Sequence, residues 1–467
     1  MPQAANSLSG AFPDQGRSRT VVRQADDSEF VIFGSHFTKT SPRNASPYSG
    51  ARLDRLDTFV FLPCMWIACA LGFAIGDYPL LFSIMPPLCL VYAIVRGITP
   101  PRLLATYVTL CLIGGVLSWG HAFPRSWQLV FLADAIPRQL IPIISFFIIA
   151  WAAKAYFLRR IQAQDIFARG GVFIALSYFV APIIMFVNDV HYEGDDTAST
   201  ILAAYGSFIN NIALASFFIF GHLFCSRGAR RHACLVVILL IAATSHFIQF
   251  KLVALAAILM LIGFPPRSMI MAVIAVFVAS YAIQACDITG AVARNPDKGI
   301  RVAFIADAFQ SLIDTSGLGI GYGTESVRWV YRFPGMPDFT FMPDPTTISK
   351  ARLMEVLSRG VHNSFAQAML RLGLVGLLLL TFAMFRALPP RGLPKPVQCH
   401  ASMAFIVIFV ACFVNPALES PRQLIGVGFA YGYLLALRSC AKPRPGNGPL
   451  RLAHPGDSRS IMMTEVV

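Results

Sequence analysis

"RGVHNSFAQAMLRLGLVGLLLL", residues 359–380, opens with Arg359, His362 and Asn363 and runs, with one more arginine at 371, into a membrane-grade apolar stretch. Crossing a bilayer takes about 17–25 such residues. Comparable runs lie near 57–75, 80–95, 103–120, 138–157, 170–188, 200–224, 233–247, 250–265, 268–285, 364–388, 400–415 and 422–438. They predict an all-α polytopic membrane protein of about twelve transmembrane helices. The region 233–265 is divided in two because "SHFIQFK" (245–251) interrupts it with His246, Gln249 and Lys251. Those groups are costly at mid-bilayer and tolerable at an interface.

Composition points the same way. The chain has 467 residues, 56% hydrophobic and only 13% charged, which argues against a soluble protein. Its net charge of +14 does not imply a nucleic-acid partner, because the basic residues sit in short clusters between apolar runs. "RGITPPR" (96–102), "KAYFLRRIQAQDIFAR" (154–169), "SRGARRH" (226–232), "PPR" (265–267), "RALPPRGLPKP" (386–396) and "RSCAKPRPGNGPLR" (438–451) are all basic. The intervening "GDYP" (76–79) and "NDVHYEGDD" (188–196) are acidic. By the positive-inside rule both termini are then cytoplasmic. The ten cysteines are scattered without a CxxC pair, so neither a zinc site nor a disulfide framework is expected.

The expected organisation is a disordered cytoplasmic tail (1–56), nine transmembrane helices (57–285), one large outer loop (286–361), three more transmembrane helices (362–438) and a second disordered tail (439–467). The outer loop carries eight Lys/Arg and eight Asp/Glu. A long polar segment among otherwise short loops is where function is expected. Within it, Val302, Ile305, Ala306, Phe309 and Leu312 predict an amphipathic helix, and Gly317, Gly319, Gly321 and Gly323 a turn-rich exit. "GLGIGYG" (317–323) follows a helix rather than a strand and lacks a βαβ context, so it is a weak phosphate-loop signal.

Four histidines fall on the outer side, at 121, 191, 246 and 362, and His362 lies where the long loop returns to the membrane. A neutral imidazole there can accept a proton from a hydroxyl, with Asn363 orienting it; equally, His362 fits a plain interface residue and Asn363 a helix N-cap. Arg301 and Arg359 lead the loop's cations, whose guanidinium forks match phosphate oxygens, although the loop's equal number of acids can pair with them. Lys251 and His246 mark another outer turn, where a lysine can also snorkel without function. Asn210 and Asn211 read as interhelical hydrogen-bonding residues.

Two segments resemble the O-antigen ligase and exopolysaccharide polymerase family of bacterial inner-membrane glycan transferases. "VHNSFAQAMLRLGLVGLLLL" (361–380) looks like the family's His-Asn-x-aromatic segment followed by spaced glycines and an apolar run. "RVAFIADAFQSLIDTSGLGIGYG" (301–323) looks like its Arg-led helix ending in Gly-x-Gly. The resemblance implies a GT-C-like fold of the lipid-carrier glycosyltransferase type with a long periplasmic loop, working without metal or cofactor. It implies a glycan donor on undecaprenyl pyrophosphate and a sugar hydroxyl, on a glycan or on lipid A-core, as acceptor. His362 matches the family's essential histidine, and Arg301 the arginine that holds the pyrophosphate. Where the family often has a Ser-Arg pair, this chain has "TSHFIQFK" (244–251), so Lys251 or His246 stands in for the second cation. A flippase doing no covalent chemistry is the alternative; buried mid-span charges and repeated halves would mark it. A non-catalytic scaffold is a third reading.

Overall fold

Apolar residues with no water to bond their backbone fold into helices, and every regular element among the described residues is one. The computed structural model describes residues 79–118, 128–160, 213–226, 228–244, 248–286, 296–322, 363–414, 417–418 and 421–441. All of them belong to one compact unit, Pro47–Val467. The helices are α1 (Pro79–Val95), α2 (Arg102–Ser118), α3 (Gln128–Arg160), α4 (Ala213–Cys225), α5 (Ala229–Thr244), α6 (Ile248–Leu261), α7 (Pro266–Cys286), α8 (Pro296–Asp314), α9 (Ser364–Arg386), α10 (Lys395–Val414) and α11 (Pro421–Cys440).

Four stretches are helical, long and apolar enough to cross a membrane: Gln139–Leu158 within α3, and the whole of α7, α9 and α10. Shorter apolar helices occur at Met85–Val95, Arg102–Ser118 and Gln249–Leu261. The pattern is that of a helical membrane protein. Two of the expected spans, 57–75 and 170–188, lie outside the described residues, as do the first tail, Asn210 and Asn211 and the second tail beyond residue 441; Ser439 and Cys440, expected in that tail, are the last residues of α11. The division at "SHFIQFK" is present, since α5 and α6 are separate helices packed on each other. α6 begins at Ile248, which puts Lys251 inside a helix's first turn and not in a connecting loop. α3 starts ten residues before the expected 138 and carries Pro137 and Pro142 within it.

Among the described residues, the most extensive helix pairing is α3 with α11. Its cause is the sequence "GFAYG" (428–432), a small-xxx-small spacing of the kind that lets backbones approach where lipid supplies no hydrophobic drive. A methyl group placed on Gly432 would lie 2.5 Å from the Ala150 carbonyl oxygen and 2.6 Å from Ala153 Cβ. One on Gly428 would lie 3.1 Å from Ile149 Cγ2. The contacts 428 with 149 and 432 with 150–154 advance together, so the two helices run parallel. Around this seam Phe157 packs edge-on to Phe217, Phe429 and Tyr433, with ring centroids 6.0, 5.0 and 5.0 Å apart.

Hydrogen bonds sort the helix ends into two groups. At one end Trp151 Nε1 donates to Ile98 O (2.7 Å) and Lys154 Nζ to Thr99 O (3.1 Å). Arg267 Nη2 donates to Pro389 O (3.0 Å), and Arg438 Nη1 to Arg386 O (2.9 Å). The last three of these bonds each join two of the basic connections, and Trp151 lies just before one of them. At the other ends of their helices, Tyr322 N donates to Ser118 Oγ, Asn363 Nδ2 to Phe413 O and Leu418 N to Ser364 Oγ.

α8 is the expected loop helix, but its packed face differs. Phe304, Ala308 and Ser311 are buried, with Ile305 and Leu312 partly so, whereas Phe309 is 54% exposed. The packed stripe is rotated by about one residue, or about 100°, from the one read in the sequence. Phe309, Ile313 and Leu318 instead face outward.

Replacing Gly432 by leucine forces a side chain into the α3 backbone, and overpacking of this kind costs about 1–3 kcal/mol or more. The expected result is a clearly lowered thermal midpoint of the detergent-purified protein. Val236→Leu, at an exposed position on α5, serves as the control and should leave the midpoint unchanged.

Candidate functional site

The N-terminus of α9 is fixed by a single amide side chain. Asn363 has extended backbone (φ −165°, ψ 118°), and its Oδ1 accepts from the N–H groups of Phe365 and Ala366, both at 2.9 Å. This is an N-cap, satisfying donors that a helix start leaves open. Its Nδ2 donates to Phe413 O at 2.7 Å, tying the start of α9 to the end of α10. Leu418 N donates to Ser364 Oγ at 3.4 Å alongside. Phe365, Phe409 and Phe413 pack beside these bonds, and Phe277 and Tyr281 of α7 reach Phe413 edge-on. Asn363, 3% exposed, is thus occupied in holding the backbone that follows His362.

α8 lies against the first two turns of α9, where Phe304 and Ala308 pack with Ala366, Met369 and Leu370. Arg301 belongs to α8, one turn before Phe304 and Ile305. α8 ends in a Schellman motif: Gly317 N donates to Leu312 O (2.8 Å) and Ser316 N to Ile313 O (3.0 Å), with Ser316 left-handed at φ 52°. The chain then runs along α9 as a strip in which Gly317, Gly319 and Gly321 all have positive φ (88°, 80° and 82°).

Beside that strip α9 breaks. Gly373 has φ 66° and ψ −152°, a conformation open essentially only to glycine. The break takes Leu374 N out of the regular ladder, and it donates to Gly317 O at 2.9 Å. In return Ile320 N donates to Leu370 O (2.7 Å) and Gly321 N to Arg371 O (3.1 Å). These three bonds form a backbone clamp between the two motif segments. Its closeness demands glycine on both sides: a methyl on Gly319 would lie 2.5 Å from Gly373 N, and one on Gly373 would collide with Gly317 O. On Gly376 it would meet Leu372 Cβ and, at 2.8 Å, Ala368 O.

A buried cation adjoins the clamp. The Arg371 side chain, 3% exposed, places its guanidinium 5.0 Å from the Tyr322 ring centroid, a cation–π contact that gains strength out of water. Tyr322 N donates to Ser118 Oγ (2.6 Å), which donates to Gly114 O (2.6 Å), so the strip is also pinned to the end of α2. Among the described residues no group of three His, Cys, Asp or Glu side chains converges as a metal site would require.

Of the residues singled out in the sequence, the structure brings together the helix that carries Arg301 and the helix start that follows His362. His362, Arg359 and His246 lie outside the described residues. Lys251 is exposed, and by register it shares α6's outward stripe with Leu255, while Val253, Ala254, Ala256 and Ala257 bury. Sequence reasoning missed Arg371, Tyr322, Ser118 and the pairing of Gly319 with Gly373. The signal for Arg371 was in view, since an ionisable residue inside a span marks function by default.

Gly373→Ala is expected to open the clamp while leaving the bundle folded. Hydrogen exchange at Ile320, Gly321 and Leu374 should speed up at least about tenfold, the loss of about 1.4 kcal/mol of local protection, with the α3 and α11 amides unchanged. Asn363→Ala should lower the thermal midpoint by the equivalent of about 1–2 kcal/mol, and Asn363→Asp by less, because the carboxylate keeps the cap and loses only the bond to Phe413. No protein-family model matches the sequence, and a search of curated proteins finds no relative.

Proposed function

We propose that this protein is a glycan transferase of the O-antigen ligase or polymerase type in the bacterial inner membrane, with both termini cytoplasmic. It takes saccharide from undecaprenyl pyrophosphate and passes it to a sugar hydroxyl on the periplasmic face. The observation that carries this reading is the clamp: the two segments bearing the family resemblance, 301–322 and 363–376, meet by backbone hydrogen bonds at the end of the bundle away from the basic connections.

The chemistry is a direct, inverting displacement. The acceptor oxygen attacks the anomeric carbon as the bond to the pyrophosphate oxygen breaks. His362 takes the hydroxyl proton, a role for which a positioned imidazole contributes about 10²–10⁴-fold. Arg301 neutralises the departing pyrophosphate, with Lys251 as the second cation, and Arg359 or His246 adding to the field. No metal or nucleotide sugar takes part. Asn363, by capping α9, sets where His362 enters the site.

The flippase alternative draws on one observation, the buried Arg371 within an apolar helix. That guanidinium lies over Tyr322 beside the clamp, eight residues into a 23-residue helix, which suits a group supporting the outer site.

Cells carrying His362→Ala at normal protein level should lose long-chain or ligated polysaccharide by about 10²-fold or more and accumulate the lipid-linked intermediate. Unchanged product would remove His362 from the chemistry. Accumulated intermediate on the cytoplasmic face alone would favour the flippase. Lys251→Ala compared with Arg301→Ala tests the shared phosphate site, and a silent Lys251→Ala would exclude that lysine.

A further inference from the structure

Along one side of the bundle, α2 and α9 leave between them an open groove of about 680 Å³. Ala105, Leu110 and Ile113 form one wall, Val375 and Leu379 the other, and Arg102 stands at one end. The groove also holds two threonines, but neither offers a donor: Thr106 Oγ1 donates to Arg102 O (3.0 Å) and Thr109 Oγ1 to Ala105 O (2.9 Å). With its hydroxyls turned back on their own helix, the whole wall presents carbon. Ile113 and Val375 are half exposed, so the groove opens outward, where a bilayer would surround a helix as apolar as α9.

The Arg102 end is polar in a particular way. Arg102 is exposed and is the first residue of α2, where the open N–H groups and the helix dipole add to its charge. The connection just before it receives the Lys154 ammonium at Thr99 O, and Arg96 lies over the Tyr92 ring, 5.2 Å from its centroid, within the same connection. A concentrated positive charge thus meets the mouth of a hydrocarbon slot. From Arg102 to Ile113 the groove runs about 16 Å at 1.5 Å per residue, about half of a 30 Å hydrocarbon core. That is the reach of one leaflet.

We infer that the groove is a binding site for an anionic glycerophospholipid of the leaflet next to the basic connections, its phosphate at Arg102 and one acyl chain laid between α2 and α9. The length and the charge both select this occupant. The polyprenyl donor proposed above carries its pyrophosphate at the opposite end of the bundle, so its chain would enter from the other leaflet. The site is independent of that proposal. One of its two walls, Val375 and Leu379, follows directly on the break at Gly373, so a seated chain packs on the segment the clamp positions.

The test is native mass spectrometry of the full-length protein, purified in mild detergent and offered phosphatidylglycerol and phosphatidylcholine of matched chains. The wild type is expected to retain one phosphatidylglycerol with about five-fold preference, the effect of one basic residue at an anionic headgroup. Arg102→Gln should abolish the preference. Val375→Trp and Thr106→Trp, each at an outward position on a different wall, should abolish retention of both lipids without altering the thermal midpoint. Retention unchanged in both tryptophan variants, a preference unchanged in Arg102→Gln, or displacement of phosphatidylglycerol by an equal concentration of polyprenyl phosphate would overturn the assignment.

Discussion

A helix broken within a membrane leaves backbone groups that water cannot reach, and each must find a partner in the protein. At Gly373 that requirement is met by one strip of chain, residues 317–321, through the three bonds linking Gly317, Ile320 and Gly321 to Leu374, Leu370 and Arg371. The rest of the site depends on this exchange. Without it α8 would rest on α9 largely through the apolar contacts around Phe304 and Ala308, and apolar contact is a weak constraint where lipid tails compete. The clamp adds direction and register, and glycine recurs at alternate positions from 317 to 321 because all three take positive φ, with Gly319 also leaving no room for a Cβ beside Gly373 N.

The same economy of small residues governs the seam between α3 and α11. Gly428 and Gly432 let α11 run against α3, and the aromatic cluster of Phe157, Phe217, Phe429 and Tyr433 fills the space beside that seam. α9 joins this body at its far end, where Tyr431 Oη donates to Ala383 O (2.8 Å) and Arg438 to Arg386 O. α9 is therefore held by side chains at one end and by the clamp and the Asn363 cap at the other. Such a helix offers a defined platform for whatever its first residues do.

Much of this was legible in the sequence because hydropathy and charge act locally. The positions of the helices follow from apolar runs, and the grouping of basic connections at one end follows from the alternation of their charge. The Asn363 cap was legible as one of two open readings, since a cap is decided within three residues. The packed face of α8 was not. Its sequence carries two apolar stripes, one through Phe304 and Ala308 and one through Phe309 and Ile313, and periodicity cannot say which meets protein and which faces outward. Nor could "GLGIGYG" reveal its acceptors, which lie about fifty residues further along the chain. Arg371 was noted in the sequence without a role because its partner Tyr322 is equally remote in sequence. Lys251 looked like a turn residue because its charge was weighed without the helix around it, whose first turn it joins on the outward side.

The proposed function requires the clamp end of the bundle and the basic connections to face opposite sides of the membrane. Leu318, 78% exposed beside the clamp, and Ser439, exposed at the end of α11, report on the two ends. In a cysteine-free background, Leu318→Cys should react with a membrane-impermeant maleimide in cells whose outer membrane alone is permeabilised. Ser439→Cys should react only after the inner membrane is opened as well. Labelling of both under the first condition, or of Leu318→Cys only under the second, would contradict the site's placement.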